Sequence, residues 1–204
     1  MLRPGSRSVF VFVLLMVAAI SAGCATVGDQ RVNILYQKTA NATGGSGDLY
    51  LVEELPPPTG GATTIQWVIG EIRNKDGEKL GNTVTDTAPT DILMSALVQE
   101  FKGVYNAVQV RSMPKDAAKG LVLKSATIKM DEVKSPASME AKCKVTVTVE
   151  PWSNGEAMTK LEYEADYTDT AVTGRDELAS KTMLHALGII MTRLVPEIVK
   201  IIEK

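Results

Sequence analysis

Between positions 139 and 149 apolar and polar residues alternate without a break. Met139, Ala141, Cys143, Val145, Val147 and Val149 share one side, and Glu140, Lys142, Lys144, Thr146 and Thr148 share the other. Leu161, Tyr163, Ala165 and Tyr167 repeat the pattern against Glu162, Glu164 and Asp166. Period two with one apolar side predicts two half-buried strands. Asn154-Gly155 between them supplies hairpin turn chemistry. On the polar side Lys142 and Lys144 are expected opposite Glu162 and Glu164. Residues 121–130 read as a third, antiparallel neighbour.

Elsewhere the period changes to that of a helix. Ile92, Leu93, Ala96, Leu97 and Phe101 recur at helical spacing, with Thr87 or Thr90 as cap, Pro89 in the first turn, Asp91 at the positive dipole end and Gly103 as the stop. From about 175 to 202, Ser180, Leu184, Leu187, Met191, Leu194, Ile198 and Ile201 form one stripe with alternating spacings of four and three. Pro196 removes the backbone bond to the Thr192 carbonyl, which predicts a kink or break. The stripe suits packing on a sheet, with coiled-coil assembly as the alternative.

The amino-terminal half is less regular. Residues 32–36 read as a short strand, 39–48 as a flexible glycine-containing loop, and 49–55 as a strand stopped by Pro56, Pro57 and Pro58. Gly60-Gly61 opens a second loop. Residues 65–73, with Trp67 expected in the core, turn at Asn74-Lys75-Asp76-Gly77 into a weaker strand over 79–84; residues 105–111 add another. The sum is an α+β domain in two layers: a largely antiparallel sheet whose one apolar face is covered by two amphipathic helices, its other face charged and solvated.

The first 24 residues follow a different rule. Arg3 and Arg7 precede an unbroken apolar run from Val9 to Ile20. That run is too short for a membrane span, which takes ~20 residues, and it suits a secretory signal. Ser21-Ala22-Gly23-Cys24 resembles the lipobox of bacterial lipoproteins, with Ser21 where leucine is commonest. The resemblance implies cleavage between Gly23 and Cys24, diacylglycerol on the Cys24 sulfur and an acylated amino terminus, a multi-chain anchor. Ala25 in place of an aspartate points by the same analogy to the outer membrane, with the domain facing the periplasm. The chain therefore divides into a signal (1–23), a lipidated tether (24–31) and one domain (32–204).

Removing residues 1–23 takes Arg3 and Arg7 from 22 basic residues and none of the 24 acidic ones, which leaves a net charge of −4. That provides no basic field for nucleic acid. With Cys24 lipidated, Cys143 has no intramolecular partner, and its place on an apolar strand face reads as a buried thiol. His185, the only histidine, cannot build a site of several imidazoles and reads as a partly exposed helix residue. No GxSxG, CxxC, HExxH or GK[ST] occurs. Gly44-Gly45-Ser46-Gly47 lacks the lysine and helix of a phosphate cradle. No cofactor, no metal and no catalysis are expected. Two places qualify as a partner or ligand surface. One is Trp152, beside Pro151 in a turn. The other is the cluster Val195, Ile198, Val199, Ile201 and Ile202 beyond Pro196.

The stretches Gly47-Asp48-Leu49-Tyr50-Leu51-Val52, Val68-Ile69-Gly70-Glu71-Ile72-Arg73-Asn74 and Thr83-Val84-Thr85-Asp86, then Ala96-Leu97 and Glu100-Phe101, resemble YajG-type lipoproteins over most of 32–200. The chain departs from that pattern at the charged turn 74–77 and at Pro196. Element order is more loosely similar to auxiliary lipoproteins of envelope ABC transporters. The resemblance implies a lipid-anchored accessory protein of the cell envelope, without enzymatic activity, that acts through an envelope protein partner. Lipid or glycolipid carriage within a transport system is the alternative, and homo-oligomerisation through the last helix is a third possibility.

Overall fold

A computed structural model describes residues 28–54, 66–173 and 175–204. In chain order the elements are β1 (Gln30–Arg31), β2 (Asp48–Glu53), β3 (Trp67–Asn74), β4 (Lys79–Thr85), α1 (Pro89–Phe101), β5 (Asn106–Val110), β6 (Lys119–Lys134), β7 (Met139–Ser153), β8 (Glu156–Ala157), β9 (Leu161–Ala171) and α2 (Arg175–Ile202). The signal, Gly23, Cys24 and residues 55–65 lie outside the described residues.

The alternating segments form the spine. β6 and β7 pair antiparallel over nearly their whole length, and β9 pairs antiparallel with β7 from Met139↔Ala171 to Val149↔Leu161. Asn154 (φ 54°) and Gly155 (φ 80°) close the two-residue turn between β7 and β8, as expected of a turn needing two positive φ angles. The other edge of β6 is shared. β2 pairs with its first part (Tyr50↔Gly120 to Glu53↔Leu123), and β3 with its last part (Ile72↔Glu132 to Asn74↔Lys134). The sheet therefore forks, β5–β2 on one branch and β1–β4–β3 on the other.

This corrects the expected largely antiparallel sheet. β1·β4, β2·β5, β2·β6 and β3·β6 are all parallel, so the sheet is mixed. Only the β3–β4 and β6–β7–β9 hairpins carry a local turn signal. Parallel partners are joined by long crossovers, and short apolar runs carry no mark of direction.

The helices pack on the apolar face. Phe101, Leu93, Leu49, Leu51, Leu123, Met130, Val145, Leu187 and Leu194 are fully buried in one core. Cys143 is among them, and burial pushes its thiol up to about 12. α1 starts at Pro89 and contains Asp91, but its N-cap is Ala88 with no side-chain cap, so neither threonine plays that part. α2 runs unbroken through Pro196. Thr192, Arg193, Pro196 and Glu197 are all exposed, so the carbonyl freed by the proline lies on the wet side of the helix, where water satisfies it. The buried face of α2 is broader than the predicted stripe: Ala179, Met183, Ala186, Ile190 and Val195 join it, while Ser180, Leu184 and Ile201 are half-buried at its margin.

A second layer of contacts explains that breadth. Residues 32–36 are not a strand; the ladder of β1 ends with Val32 N–H donating to the Val84 carbonyl at 2.7 Å. The chain then crosses the helices as a strap, with the Ser180 hydroxyl 3.5 Å from the Asn33 carbonyl and Thr39 against Gly188. Glu100, fully buried in α1, fastens it. Its carboxylate accepts from the Tyr36 hydroxyl, from Thr39 N–H (2.7 Å) and Oγ1 (3.0 Å), and from Ala40 N–H (3.1 Å). A buried carboxylate is tolerable only with such donors. The predicted flexible loop 39–48 is therefore tied down at one end, with Ala40 1% exposed.

Candidate interaction surface

At one end of the sheet, five strands contribute one residue each to a row on the face away from the helices. Val108, Tyr50, Gly120, Trp152 and Ala157 are successive register partners on β5, β2, β6, β7 and β8. Beside it runs a second row, Val110, Val52, Val122 and Glu150. Their strand neighbours Leu49, Leu51, Leu121 and Leu123 are buried among the helices, so alternation turns these rows outward. Val52 and Val122 are 6% exposed and Val108 is 40% exposed.

Gly120 is the low point of the ledge. A Cβ there would lie 2.2 Å from Cε of Met113, whose thioether occupies the space a side chain would fill. The segment after β5 thus folds back over the face, its own Ala117 buried. Trp152 is half-buried, not fully exposed as its turn position suggested, because β7 extends to Ser153. Its indole Nε1 is buried and donates to no described group, so the ring presents its apolar part to the surface. The rim is charged. Lys124, displaced at a bulge between Leu123 and Ser125, reaches Glu54 at 2.8 Å and Glu150 at 3.4 Å. The hydrogen bond to Glu54, reinforced by the charge of Glu150, holds its ammonium above the ordinary lysine value.

Over β7 and β9 the outer face is polar, while Val68 and Val133 are exposed on β3 and β6. Lys144 pairs with Glu164 at 2.8 Å and Lys142 approaches Asp166 at 4.0 Å. Both pairs are diagonal, because the register sets Lys144 opposite Asp166 and Lys142 opposite Thr168. The expected facing of Lys142 and Lys144 with Glu162 and Glu164 is thus shifted by four residues, to Asp166 and Thr168. Such exposed pairs contribute at most ~1 kcal/mol each. The far edge of β9 is blunted from above, where Arg193 of α2 donates to the Glu164 carbonyl at 3.1 Å.

The carboxy-terminal cluster lies elsewhere. Val195, Ile198, Val199 and Ile202 are 0%, 0%, 6% and 3% exposed, so meeting a partner would require them to leave the core. His185 is exposed on α2 and meets the Tyr167 ring edge-on at 4.7 Å. Trp67 is only partly buried, the core places in β3 being taken by Ile69 and Ile72. Among the described residues no three His, Cys, Asp or Glu side chains are grouped to hold a metal. A shallow cleft of about 550 Å³ opens between residues 45–47 and 102–107. Its neighbour Lys119 is already engaged by both Glu203 oxygens (2.6 and 2.8 Å) and by Ser46. Of the ledge, sequence reasoning found Trp152 alone. Tyr50, Val108, Val110 and Val122 were legible as strand residues, but their common face depends on parallel pairing. Glu100 was hidden by its charge.

These features define a class: an α+β domain whose forked mixed sheet holds two helices on one face and an apolar ledge on the other. No family model matches the chain, and no characterised protein matches it by sequence. Among solved structures it is similar to a Xanthomonas campestris protein of the DUF330 family (12% identity, 84% of this chain and 95% of that one, TM-score 0.47). It is also similar to a Helicobacter pylori protein assigned as a neuraminyllactose-binding hemagglutinin homologue (10% identity, 82% and 92%, TM-score 0.40) and to rare lipoprotein B from Shewanella oneidensis (11% identity, 64% and 90%, TM-score 0.34). At such identities and scores the functional reading rests on this chain's own residues. No helix among the described residues is long and apolar enough to cross a membrane, which says nothing of strands.

Proposed function

We propose that the protein is a lipid-anchored, non-catalytic accessory protein of the bacterial cell envelope, held in the outer membrane by Cys24 and acting on a protein partner through the ledge around Trp152. The observation that carries this reading is the row Val108–Tyr50–Gly120–Trp152, where Val108 is 40% exposed and Tyr50 and Trp152 are half-buried beside the Lys124–Glu150 rim. Apolar strips rimmed by charge mark contact surfaces, and a half-buried tryptophan is the kind of group that dominates interface energetics. Anchoring to a surface raises the effective concentration of such a partner, so a modest contact area suffices. The YajG-like pattern supports the same role.

The test is photocrosslinking from Val108 in the native envelope, with proteins and lipids both identified by mass spectrometry. One dominant protein adduct, lost in Trp152→Ala while the domain still melts cooperatively, is the expected result. Stoichiometric lipid without protein would replace this reading with lipid carriage; a self-adduct would replace it with oligomerisation. Carriage in the core requires Val195 and Ile198 to separate from the sheet, and assembly through α2 requires Leu194 and Ile198 to do the same. All three are fully buried.

A further inference from the structure

The domain's amino terminus and the turns of its sheet converge at one end of the molecule. Gln30 of β1 is the partner of Thr83, and Asp29 accepts hydrogen bonds from the backbone and side chain of Asn82. Parallel to β4, Gly28 therefore lies level with Gly81. Gly81 is paired with Ile72 of β3, Ile72 with Glu132 of β6, and Glu132 with Ala141 of β7. From that level β3 and β6 both run on to their turns, residues 74–78 and 135–138, and β9 ends at Ala171 beside Met139.

The reach of the tether can be set against this geometry. Four residues separate Cys24 from Gly28, a span of at most ~14 Å. Four residues also separate Glu132 from Pro136 in the β6–β7 turn, about 13 Å of strand. An anchor whose sulfur lies at the bilayer surface therefore keeps Gly28 within ~14 Å of it, and the opposite orientation would drive the far end of β6, about 40 Å the other way, into the bilayer. The groups at this end suit such contact. Ala137 and Pro136 are exposed, Val172 is 69% exposed and Val133 is 40% exposed, and charge of both signs surrounds them, Lys75 and Lys134 with Asp76 and Glu78, and Lys79 paired to Glu71 at 3.1 Å.

We infer that the turns 74–78 and 135–138 rest on the phospholipid headgroups, and that the strands stand away from the membrane with the Trp152 ledge at the far end. This rests on the lipid anchor proposed above. Twelve residues of β6 separate Gly120 from Glu132, so the ledge stands about 40 Å along the strand from the level at which the tether enters, and further from the turns.

The experiment uses the full lipoprotein in phosphatidylethanolamine–phosphatidylglycerol vesicles. Nitroxide labels are placed singly at Lys75→Cys and Ala137→Cys, and at Lys102→Cys and Asn154→Cys on the opposite end. Cys143, fully buried, leaves little background. A headgroup-chelated nickel relaxer should act strongly on the first pair and lose its effect on the second. Inserting twelve Gly/Ser residues after Ala25 should abolish the difference. Equal relaxation at both ends in acylated, vesicle-bound protein overturns this inference and leaves the anchor standing. A Cys24 peptide of unacylated mass overturns the anchor and this inference together.

Discussion

Gly70 shows how much one residue decides here. A Cβ at this position would lie 1.4 Å from the Met130 carbonyl oxygen and 2.3 Å from its carbon. β3 thus crosses the β6 backbone where only hydrogen fits, next to the register shift between Val68 and Gly70. Backbone cannot step aside as a flexible side chain does, so Gly70→Ala should destabilise the fold by about 3 kcal/mol, a fall of roughly 6–12 °C in Tm. At Gly120 the neighbour is the end of Met113, which can swing away; thermal melts of the two alanine variants should separate clearly. The glycine was visible in the sequence inside a strand pattern. Its reason was not, because the close approach is between strands joined only through parallel pairing. Glu100 was illegible for a related cause: its donors come from the strap some sixty residues earlier, and a helical glutamate ordinarily faces water.

At the level of elements, α2 was read almost to its ends, since a long 3.6-residue period outweighs one proline on the wet side. What its stripe failed to show was the partner. The strap widens the buried face around Ser180 and Gly188, and Ile198, one turn from the end of the helix, is buried with no exposure. Replacing Ile198 by lysine should therefore unfold the domain outright, at a cost of about 4 kcal/mol or more, seen as loss of the cooperative transition in urea. A folded, merely dissociated protein would instead reveal an assembly helix. The β6–β7–β9 meander was equally legible, because alternation and Asn154-Gly155 are local signals. β2 was read as a strand at 49–55 and lies at Asp48–Glu53, but β1 was mislaid onto 32–36, because a two-residue strand takes its place from a distant neighbour.

For the whole molecule, two tyrosine hydroxyls tie separate parts together by hydrogen bonds, and a third lies beside a carboxylate without one. Tyr36 joins the strap to α1, Tyr105 lies by Glu203 at the end of the chain, and Tyr163 donates to Glu197 of α2 at 2.9 Å. In each, burial is the largest cause holding the phenol above its ordinary value, with the nearby carboxylate adding to it. A raised folded value means that their contribution is intact below the unfolded pKa of about 10 and is lost as pH climbs beyond it. Stability measured by urea at pH 9 and pH 10.5 should fall steeply across that interval, and Tyr163→Phe should flatten the slope while lowering the plateau.

The fork in the sheet also sets an order of events. β2 finds its ladders only on β5 and β6, with Asp48 opposite Asn106 and Tyr50 opposite Gly120, and the strap waits for Glu100. A chain that leaves a membrane amino terminus first therefore presents its opening third with nothing to pair with. Leu49 and Leu51 have no ladder to join until α1, β5 and β6 have emerged behind them. The opening third thus enters the fold late, and until then its apolar strands are open to any chaperone the chain meets.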